Sequence, residues 1–499
     1  MPGTGPVTRA TPAPAEPGPL SRGTLAALAG ICLAAAILYG LYWTPTGVDD
    51  AWITYRYAEN LAGGRGFVYN VGERILGTTT PLYTLLLAAA GRLGLSVPLT
   101  GWTFGFAGMI AAIVLLFLLV RRLHNDLAGL FAAGLLAGAQ LFHRVATYGM
   151  ETTLYVTLIL GAFLAYVSGR QLLASALAAG CLLTRLDGGA VGLSLAIVHV
   201  LTRREMPWKA LAVYAAIAAP WYLFSHFYFG SMLPNSLAAK RLHTQQTVLL
   251  WMPRWLLLRE PRTLFAVIGA AVALLAPATR PPPRPPRAAV LAIWGAIYAG
   301  AYSLVAIQRY DWYQTPLLVA LAGFGGIGVV AVGQRLAREG SARVAAAIGL
   351  AGVLMLPDAV RAVRRAQGDE GILGIERVRH DAALWMRDSL PPGVPIATGG
   401  IGLVGYFTGR HIYDAMGLVT PGSMRIEGRL ANPRGMPFPR FLPAIIADYR
   451  PEYVFDGFWL PPGEEMPDFM RGSYEVVRDW RGANPSWPRF ILYRRITPR

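Results

Sequence analysis

Eleven apolar runs constrain this chain more than any other feature, because most of them are long enough to cross a bilayer. A run of about 17–25 apolar residues spans a hydrocarbon core of about 30 Å as one helix. Only 15% of the residues are charged and 54% are hydrophobic, whereas a soluble domain carries about 25% charged residues. We therefore predict a multi-span α-helical membrane protein with about 11 transmembrane helices, at 24–43, 99–120, 126–142, 152–168, 171–184, 188–202, 209–229, 263–279, 288–307, 316–333 and 343–357.

The arginines between these runs predict the orientation of the chain, since positive residues in short loops are retained on the cytoplasmic side. If the N-terminus is cytoplasmic, every strongly basic short loop lies inside, namely 121–122, 170, 203–209, 280–287 and 335–343. The apolar stretches 82–95 and 248–258 must then lie along the outer interface without spanning. We expect a multi-pass protein of the plasma membrane with a cytoplasmic N-terminus.

The composition changes after the last apolar run, and residues 358–499 are typical of a soluble α/β domain, which the orientation makes extracytoplasmic. Its pattern predicts helices and strands in alternation, with helices at 377–390, 401–407 and 441–449 and strands at 395–398, 411–413, 453–456, 474–479 and 490–494. The chain thus divides into a disordered cytoplasmic tail at 1–23, a transmembrane domain at 24–357 whose first outer loop is 44–98, and the outer domain.

Asp49 and Asp50 form an acidic pair soon after the first apolar run, in a chain with a net charge of +17. The residues that follow have helical spacing, so Asp49 is placed to cap a short helix near the membrane surface. The predicted outer connections also carry cations, and Lys240 is one of only two lysines among 45 basic residues. A lysine where arginine is the default indicates a flexible point charge, as for a phosphate.

Carboxylates, cations and aromatic residues beside lipid suit the transfer of a sugar from a lipid phosphate. Such a transfer needs a carboxylate that deprotonates an acceptor hydroxyl group and cations that hold the leaving phosphate. No cluster has metal-ligand spacing, so we predict no metal site, although a divalent cation that bridges Asp50 and the phosphate stays open. Most basic residues flank helices, which indicates lipid headgroups rather than nucleic acid as their partners.

Seven stretches of the sequence resemble the GT-C membrane glycosyltransferases, especially the branch of the mycobacterial terminal arabinofuranosyltransferase. They are DDAWITYRYAENLAGGRGFVYNVGER and TTTPLYTLLLA within 49–88, MET at 150–152, TRLDG at 184–188, LPNSLAAK at 233–240, RYDWYQTP at 309–316 and GGIGLVGYFTGRHIYDAMGLVTP at 399–421. The resemblance implies a GT-C fold, a polyprenyl-phosphate-linked sugar donor and inverting transfer on the non-cytoplasmic side. It also implies that the acidic motif of the first outer loop supplies the catalytic base, which we assign to Asp49 with Asp50 second.

The remaining site residues are predicted around this pair. The cations expected to bind the donor phosphate are Arg56, Lys240, Arg241 and Arg309. The residues expected to line the substrate pocket are Tyr55, Glu151, Asn235, Tyr310 and Trp312. The expected partners are the lipid bilayer, a polyprenyl-phosphate-linked sugar and a cell-envelope glycan or lipid acceptor, with arabinofuranose as one candidate sugar.

Several of these residues also have a structural interpretation. The acidic pair can be a helix cap plus a solvated charge, and Lys240 with Arg241 can anchor a helix end to lipid headgroups. The charged residues near span ends can form structural ion pairs, which would join Glu151 and Asp187 to Arg144 and Arg185.

Two other classes of protein remain as alternatives to an enzyme. A polytopic transporter would be expected to carry broken or charged mid-span segments, and the sequence shows no such pattern beyond an isolated Pro220. A non-catalytic assembly or receptor protein of the cell envelope would keep the outer domain but would not need the acidic pair. The enzyme hypothesis therefore accounts for more of the sequence.

Overall fold

The computed structural model describes residues 18–236, 251–275, 287–304, 310–337, 340–366, 372–420, 442–458, 466–482 and 488–496. The predicted cytoplasmic tail lies outside the described residues except for 18–23. Within the described part, a helical membrane region precedes a small domain that contains a sheet.

Sixteen helices in the described part precede the outer domain. Helices α1–α8 are Arg22–Tyr42, Asp49–Ala62, Pro81–Arg92, Val97–Leu123, Asp126–Ala137, Gln140–Ala146, Thr152–Val167 and Gln171–Thr184. A 3-10 turn at Leu186–Gly188 leads directly into α9. Helices α9–α16 are Gly189–Arg203, Trp208–Phe229, Trp251–Arg259, Arg262–Leu275, Ala289–Leu304, Asp311–Gln314, Leu317–Leu336 and Gly340–Ala366.

The hydropathy of these helices confirms a multi-pass membrane protein. Six described helices are long and apolar enough to cross a membrane, namely α1, α4, α9 with its preceding turn, α10, α15 and α16. Helices α5 and α6 form a pair bent by 62° that makes a seventh span if it is counted as one. The predicted count of eleven is reached only if the shorter apolar helices α7, α8, α12 and α13 also cross. Every predicted run coincides with one of these elements.

Small residues let the membrane helices approach one another closely, as is common in membrane bundles. At the crossing of α12 and α15, a Cβ atom added to Gly269 would lie 1.8 Å from the carbonyl oxygen of Phe324. A Cβ added to Gly328 would lie 2.0 Å from the carbonyl oxygen of Phe265. Backbone packs directly on backbone at this crossing, so neither glycine has room for a side chain.

The outer domain contains a mixed sheet with helices beside it, as the sequence predicted. Its elements are α17 (Ile372–Ser389), β1 (Ile396–Thr398), α18 (Ile401–Thr408), β2 (Ile412–Asp414), α19 (Leu442–Tyr449), β3 (Tyr453–Phe458), β4 (Tyr474–Trp480) and β5 (Arg489–Arg495). The strand order is β2-β1-β3-β5-β4. Strand β1 pairs in parallel with β2 and β3, whereas β5 pairs antiparallel with β3 and β4.

The outer domain is docked on the first loop of the membrane region. Helix α18 packs along α2, and the ring of Trp52 in α2 lies 4.7 Å from that of Tyr406 and 4.6 Å from that of Phe407. The hydroxyl group of Tyr69 donates a hydrogen bond of 2.6 Å to the carbonyl oxygen of Ile401. The first loop and the outer domain therefore share one packed interface, which borders the cavity described next.

Candidate active site

A cavity of about 400 Å³ lies where the connections predicted to face outward meet the outer domain. Its walls come from the start of α2, the segment before α3, the start of α7, the link between α8 and α9, the end of α13, the region of α14 and the loops after β1 and β2. The charged and hydroxyl-bearing residues that line it are Asp49, Asp50, Thr54, Thr78, Thr79, Thr80, Glu151, Arg185, Asp187, Ser236, Tyr302, Tyr310 and Tyr313. Segments far apart in sequence thus converge on one site.

Asp49 lies on the wall of this cavity and binds the outer domain. Its Oδ2 accepts a hydrogen bond of 3.0 Å from the backbone N–H of Gly402, and its Oδ1 accepts one of 2.8 Å from that of Leu403. These N–H groups belong to the first turn of α18, where unpaired donors and the helix dipole favour a negative charge. The prediction that Asp49 caps α2 is wrong, since α2 begins at Asp49 itself and has no side-chain cap. Asp49 instead caps a helix of the outer domain.

Arg379 of α17 stands between Asp49 and buried carboxylates of the outer domain. Its guanidinium group forms an ion pair with Glu376 and lies 3.8 Å from Oδ1 of Asp49. Asp456 accepts a hydrogen bond of 2.6 Å from the backbone N–H of Gly399 on the cavity wall. The outer domain therefore supplies both the cation and the backbone donors that fix Asp49 in place.

Burial shifts the titration of the two acidic residues of the outer domain that lie near Asp49. It raises the pKa of Glu376 to about 7, while the nearby Arg379 acts in the opposite direction. It raises the pKa of Asp456 to about 6, although this carboxylate accepts hydrogen bonds from two backbone N–H groups. Both groups therefore change charge near neutral pH, close to the acidic pair.

Arg185 occupies the cavity wall together with two carboxylates. Its guanidinium group is paired with Asp187 through bonds of 3.0 and 2.8 Å and with Glu151 at 3.2 Å. The hydroxyl groups of Tyr298 and Tyr302 donate to the same Asp187 oxygen at 3.0 and 2.6 Å. Glu151 therefore lines the cavity and is at the same time the ion-pair partner of Arg185.

Aromatic residues of the predicted pocket form a stacked pair on the cavity wall. The rings of Tyr310 and Trp312 lie 4.3 Å apart with an angle of 9° between their planes. The neighbouring Asp311 forms an ion pair of 2.7 Å with Arg144 and accepts a hydrogen bond of 2.7 Å from the hydroxyl group of Tyr148. These bonds tie the pair to α6 and the turn that follows it.

The threonines at 78–80 are part of the cavity that the site predictions missed. The hydroxyl oxygens of Thr78 and Thr80 lie 3.1 Å apart, and those of Thr54 and Thr80 lie 3.4 Å apart. They bring hydroxyl groups to the side of the cavity beside α2. The run of three threonines before Pro81 is visible in the sequence, but Thr is also a favoured residue just before a helix, so the run alone did not indicate a site.

Two predicted site residues of the first loop, Tyr55 and Arg56, do not line the cavity, and their assignments are corrected. The guanidinium group of Arg56 donates to the carbonyl oxygens of Tyr69, Gly405 and Arg410 at 2.8, 2.6 and 2.7 Å, so it joins the first loop to the outer domain. Tyr55 is buried, and its hydroxyl group donates to the carbonyl oxygen of Gly149 at 2.7 Å. Both side chains hold the walls of the site together.

The remaining predictions concern a segment that is only partly described. The backbone N–H of Asn235 donates to the carbonyl oxygen of Leu76 at 2.9 Å, and its neighbour Ser236, rather than Asn235, lines the cavity. Lys240, Arg241 and Arg309 lie outside the described residues.

The described wall of the cavity carries more negative than positive charge. Its carboxylates are Asp49, Asp50, Glu151 and Asp187, and its cation is Arg185. Within the described ranges, no group of three or more His, Cys, Asp or Glu side chains is arranged to hold a metal ion. An anionic substrate in this cavity therefore needs positive charge from elsewhere.

Two solved structures show what this fold is similar to. ArnT from Cupriavidus metallidurans bound to undecaprenyl phosphate superimposes with a TM-score of 0.59 over 95% of this chain and 98% of that chain, at 16% identity. The oligosaccharyltransferase AglB from Archaeoglobus fulgidus, in complex with an inhibitory peptide and a dolichol-phosphate, gives a TM-score of 0.58 over 87% of this chain and 69% of that chain, at 14% identity. The chain has the GT-C fold, as the resemblance implied.

A curated relative and a domain family also match parts of the chain. The terminal beta-(1->2)-arabinofuranosyltransferase of Mycobacterium tuberculosis is 30% identical over 232 residues, which cover 42% of this chain and 37% of the relative. The match thus spans little more than a third of that protein. Residues 370–493 match a domain of unknown function, DUF8728, which corresponds to most of the outer domain.

Proposed function

We propose that this protein is a membrane glycosyltransferase that moves a sugar from a polyprenyl-phosphate donor to a glycan or lipid acceptor of the cell envelope. The observation that carries the proposal is the cavity itself, where the acidic pair meets aromatic and hydroxyl-bearing residues beside the membrane helices. The GT-C fold supports the reaction class, and the partial match to an arabinofuranosyltransferase makes arabinofuranose the first sugar to test.

Asp50 is the group that we propose as the general base, with Asp49 as its positioning neighbour. Both oxygens of Asp49 accept hydrogen bonds from α18, and Arg379 lies beside it, so this carboxylate is committed to holding the outer domain. Asp50 lies one residue on and also lines the cavity. The sequence suggested Asp49 as the base, with Asp50 second, and this proposal exchanges their roles.

The proposed reaction is a single inverting displacement. The carboxylate of Asp50 takes the proton of the acceptor hydroxyl group while the hydroxyl oxygen bonds to the anomeric carbon of the donor sugar. The bond from that carbon to the phosphate oxygen breaks, and the polyprenyl phosphate leaves with the electron pair. The stacked pair of Tyr310 and Trp312 offers an apolar face for a sugar ring in the cavity.

The donor phosphate requires cations, which we assign to Lys240, Arg241 and Arg309. Arg185 is already paired with two carboxylates, so it is poorly placed to neutralise a phosphate as well. A divalent cation between Asp50 and the phosphate would serve the same purpose, and removal of divalent cations with a chelator separates the two mechanisms. Activity that survives chelation favours the three basic residues.

We further propose that the cavity and the outer domain face away from the cytoplasm and that the N-terminus lies in the cytoplasm. The distribution of arginines assigned one set of connections to the outer face. These same connections line the cavity. Helices α4, α9 and α15 run away from the cavity, and each carries arginine in its last turn, at the end far from the cavity. This arrangement agrees with retention of positive loops in the cytoplasm.

The proposal is tested with purified protein, radiolabelled sugars on polyprenyl phosphates and cell-envelope acceptors. Transfer of label from one donor of the panel, but not from the matching nucleotide sugar, is the expected result. Binding of an envelope glycan without transfer from any donor would favour the receptor alternative. Uptake of a free solute by reconstituted vesicles, with no transfer, would favour a transporter.

A further inference from the structure

A second cavity, of about 260 Å³, lies between α8, α9 and α10. The candidate active site borders α9 at Asp187, whereas the second cavity extends along this helix to His199 and the loop after Arg203. The sixteen positions from Asp187 to Arg203 correspond to about 24 Å of helix. The second cavity begins near the start of α9 at Gly189 and runs along the helix, so only its end near His199 and Pro207 lies opposite the candidate active site.

The wall of the second cavity is mostly apolar. It includes Leu193, Leu195, Ala196 and Leu211, and Leu193 is exposed on the outer surface of the bundle. The hydroxyl group of Ser175 is already bonded to the carbonyl oxygen of Ala210 at 2.5 Å. Polar side chains at Tyr166, Gln171, Ser175, His199 and Tyr214 interrupt an otherwise apolar wall. A mostly apolar cavity does not hold water well, and the exposed Leu193 on its wall lies at a surface that suits the hydrocarbon of a bilayer.

Four cations stand around the end of this cavity. Arg170 precedes the lining residue Gln171, Arg203 and Arg204 follow His199 by about one helical turn, and Lys209 lies two residues after Pro207. All four are exposed, and none forms an ion pair with a described carboxylate. The nearby Glu205 lies 3.9 Å from His199, so it faces the histidine.

Trp208 marks where the bilayer surface meets this end of the bundle. It is the first residue of α10, and 71% of its surface is exposed. Tryptophan is enriched at the level of the lipid headgroups. The four cations therefore lie at headgroup height, while the cavity beneath them lies at the height of the acyl chains.

We propose that this cavity and its basic rim bind an anionic phospholipid from the leaflet opposite the candidate active site. One acyl chain lies in the cavity between α8, α9 and α10, and the phosphate lies among Arg170, Arg203, Arg204 and Lys209. The charge of the rim complements a lipid whose headgroup is net negative, and the apolar wall complements its chain. A zwitterionic lipid with the same chains matches the wall but not the rim.

Native mass spectrometry of the purified full-length protein tests this site. The protein is titrated with dioleoyl phosphatidylglycerol and, separately, with dioleoyl phosphatidylcholine. We expect one phosphatidylglycerol to bind at least tenfold more tightly than phosphatidylcholine. The double substitution Arg203→Gln with Lys209→Gln should weaken phosphatidylglycerol binding about thirtyfold, because it removes two of the cations at the surface. The same substitutions should leave phosphatidylcholine binding nearly unchanged.

Filling the cavity tests the position of the acyl chain. Ala196→Phe should weaken binding of both lipids about tenfold, since it displaces methylene groups from the cavity. Leu211→Trp fills the same space from α10 and is the second variant if the first does not fold. Leu201→Phe, at an exposed position of α9 that does not line the cavity, and Arg335→Gln, at the basic end of α15, are the matched controls.

The proposal is overturned by equal binding of the two lipids, by loss of binding in the controls as large as in the rim and cavity variants, or by tight phosphatidylglycerol binding in the filled variants. Each of these outcomes would assign the four cations to general contact with lipid headgroups. The thermal unfolding midpoint of each variant, measured in the same detergent, shows that its fold is intact.

Discussion

Asp49 and Asp50 are neighbours in sequence, yet their surroundings give them different tasks. Asp49 accepts two hydrogen bonds from the first turn of α18 and lies beside Arg379, so it joins the first loop to the outer domain. Asp50 lines the same cavity one residue further along α2. At the scale of single residues, Asp49 therefore holds the outer domain in place and Asp50 is the candidate base.

Arg379 is the cation on which this corner of the site depends. Arg379→Gln should destabilise the protein by about 3–5 kcal/mol, because it leaves the buried Glu376 without its ion pair. Arg379→Lys keeps the charge and should recover part of the loss. The thermal unfolding midpoint in detergent measures the effect of both substitutions. Arg387→Gln is the control, because it removes an exposed ion pair with Asp388 on the same helix. An unchanged midpoint in Arg379→Gln would contradict this account.

The raised pKa values of Glu376 and Asp456 predict how stability depends on pH. A carboxyl group whose pKa is higher in the folded protein binds its proton more tightly there, so its contribution falls as pH rises through the folded pKa. With folded pKa values of about 7 and about 6, the outer domain should unfold at a higher temperature at pH 5 than at pH 7.5. Glu376→Gln should reduce that difference, and a midpoint that rises with pH over this range would contradict it.

Among the elements, α18 makes the tightest contact between the outer domain and the membrane region. A Cβ atom added to Gly402 would lie 1.8 Å from the carbonyl oxygen of Asp49, and one added to Gly405 would lie 1.8 Å from the hydroxyl oxygen of Tyr69. These glycines let α18 rest on the first loop at backbone distance. Helix α18 is short, but its first turn binds Asp49, so the position of this helix determines the position of the acidic pair.

Gly405→Ala should therefore displace α18 and lower both stability and sugar transfer. Relief of the clash requires movement of the Tyr69 ring and of Arg56, whose Nη1 lies 2.6 Å from the added Cβ position. We expect transfer to fall at least tenfold and the unfolding midpoint to fall by several degrees. Gly134→Ala is the matched control, because its added Cβ meets nothing within 4 Å. Similar behaviour of the two variants would show that the contact is unimportant.

The elements themselves were largely predictable from sequence, whereas their meeting points were not. Hydropathy located every apolar helix, and short apolar strands between turn residues located β1 to β5. The bond from Gly402 to Asp49 joins positions 353 residues apart, and no local pattern reports such a contact. Arg56 was misassigned for the same reason, since its carbonyl partners at 405 and 410 come from the other end of the chain.

On the scale of the whole molecule, the charge of the cavity is incomplete in the described part of the chain. Its carboxylates outnumber its cation, which is itself paired. The proposed donor carries a phosphate, so we assign the missing charge to Lys240, Arg241 and Arg309. The candidate active site is thus assembled from the first loop, several helix ends and the outer domain together.

Loss of one of these cations should act on donor binding. Lys240→Gln and Arg309→Gln should each raise the KM for the polyprenyl-phosphate donor about tenfold, since a hydrogen bond to a charged group contributes about 1.5–3 kcal/mol. The KM for the acceptor should change little. Arg335→Gln serves as a control at a distant helix end. A rise of the acceptor KM alone, with an unchanged donor KM, would place these residues at the acceptor instead.

The acidic pair is proposed to carry out sugar transfer, with Asp50 as the base. The most direct measurement is the turnover number of Asp50→Asn and Asp49→Asn beside the wild-type protein, with equal folding verified by unfolding midpoint and saturating donor. We expect the turnover number to fall at least a hundredfold in Asp50→Asn and less in Asp49→Asn, which keeps one acceptor oxygen for α18. Wild-type turnover in Asp50→Asn would contradict the claim, and abolition only in Asp49→Asn would make Asp49 the base.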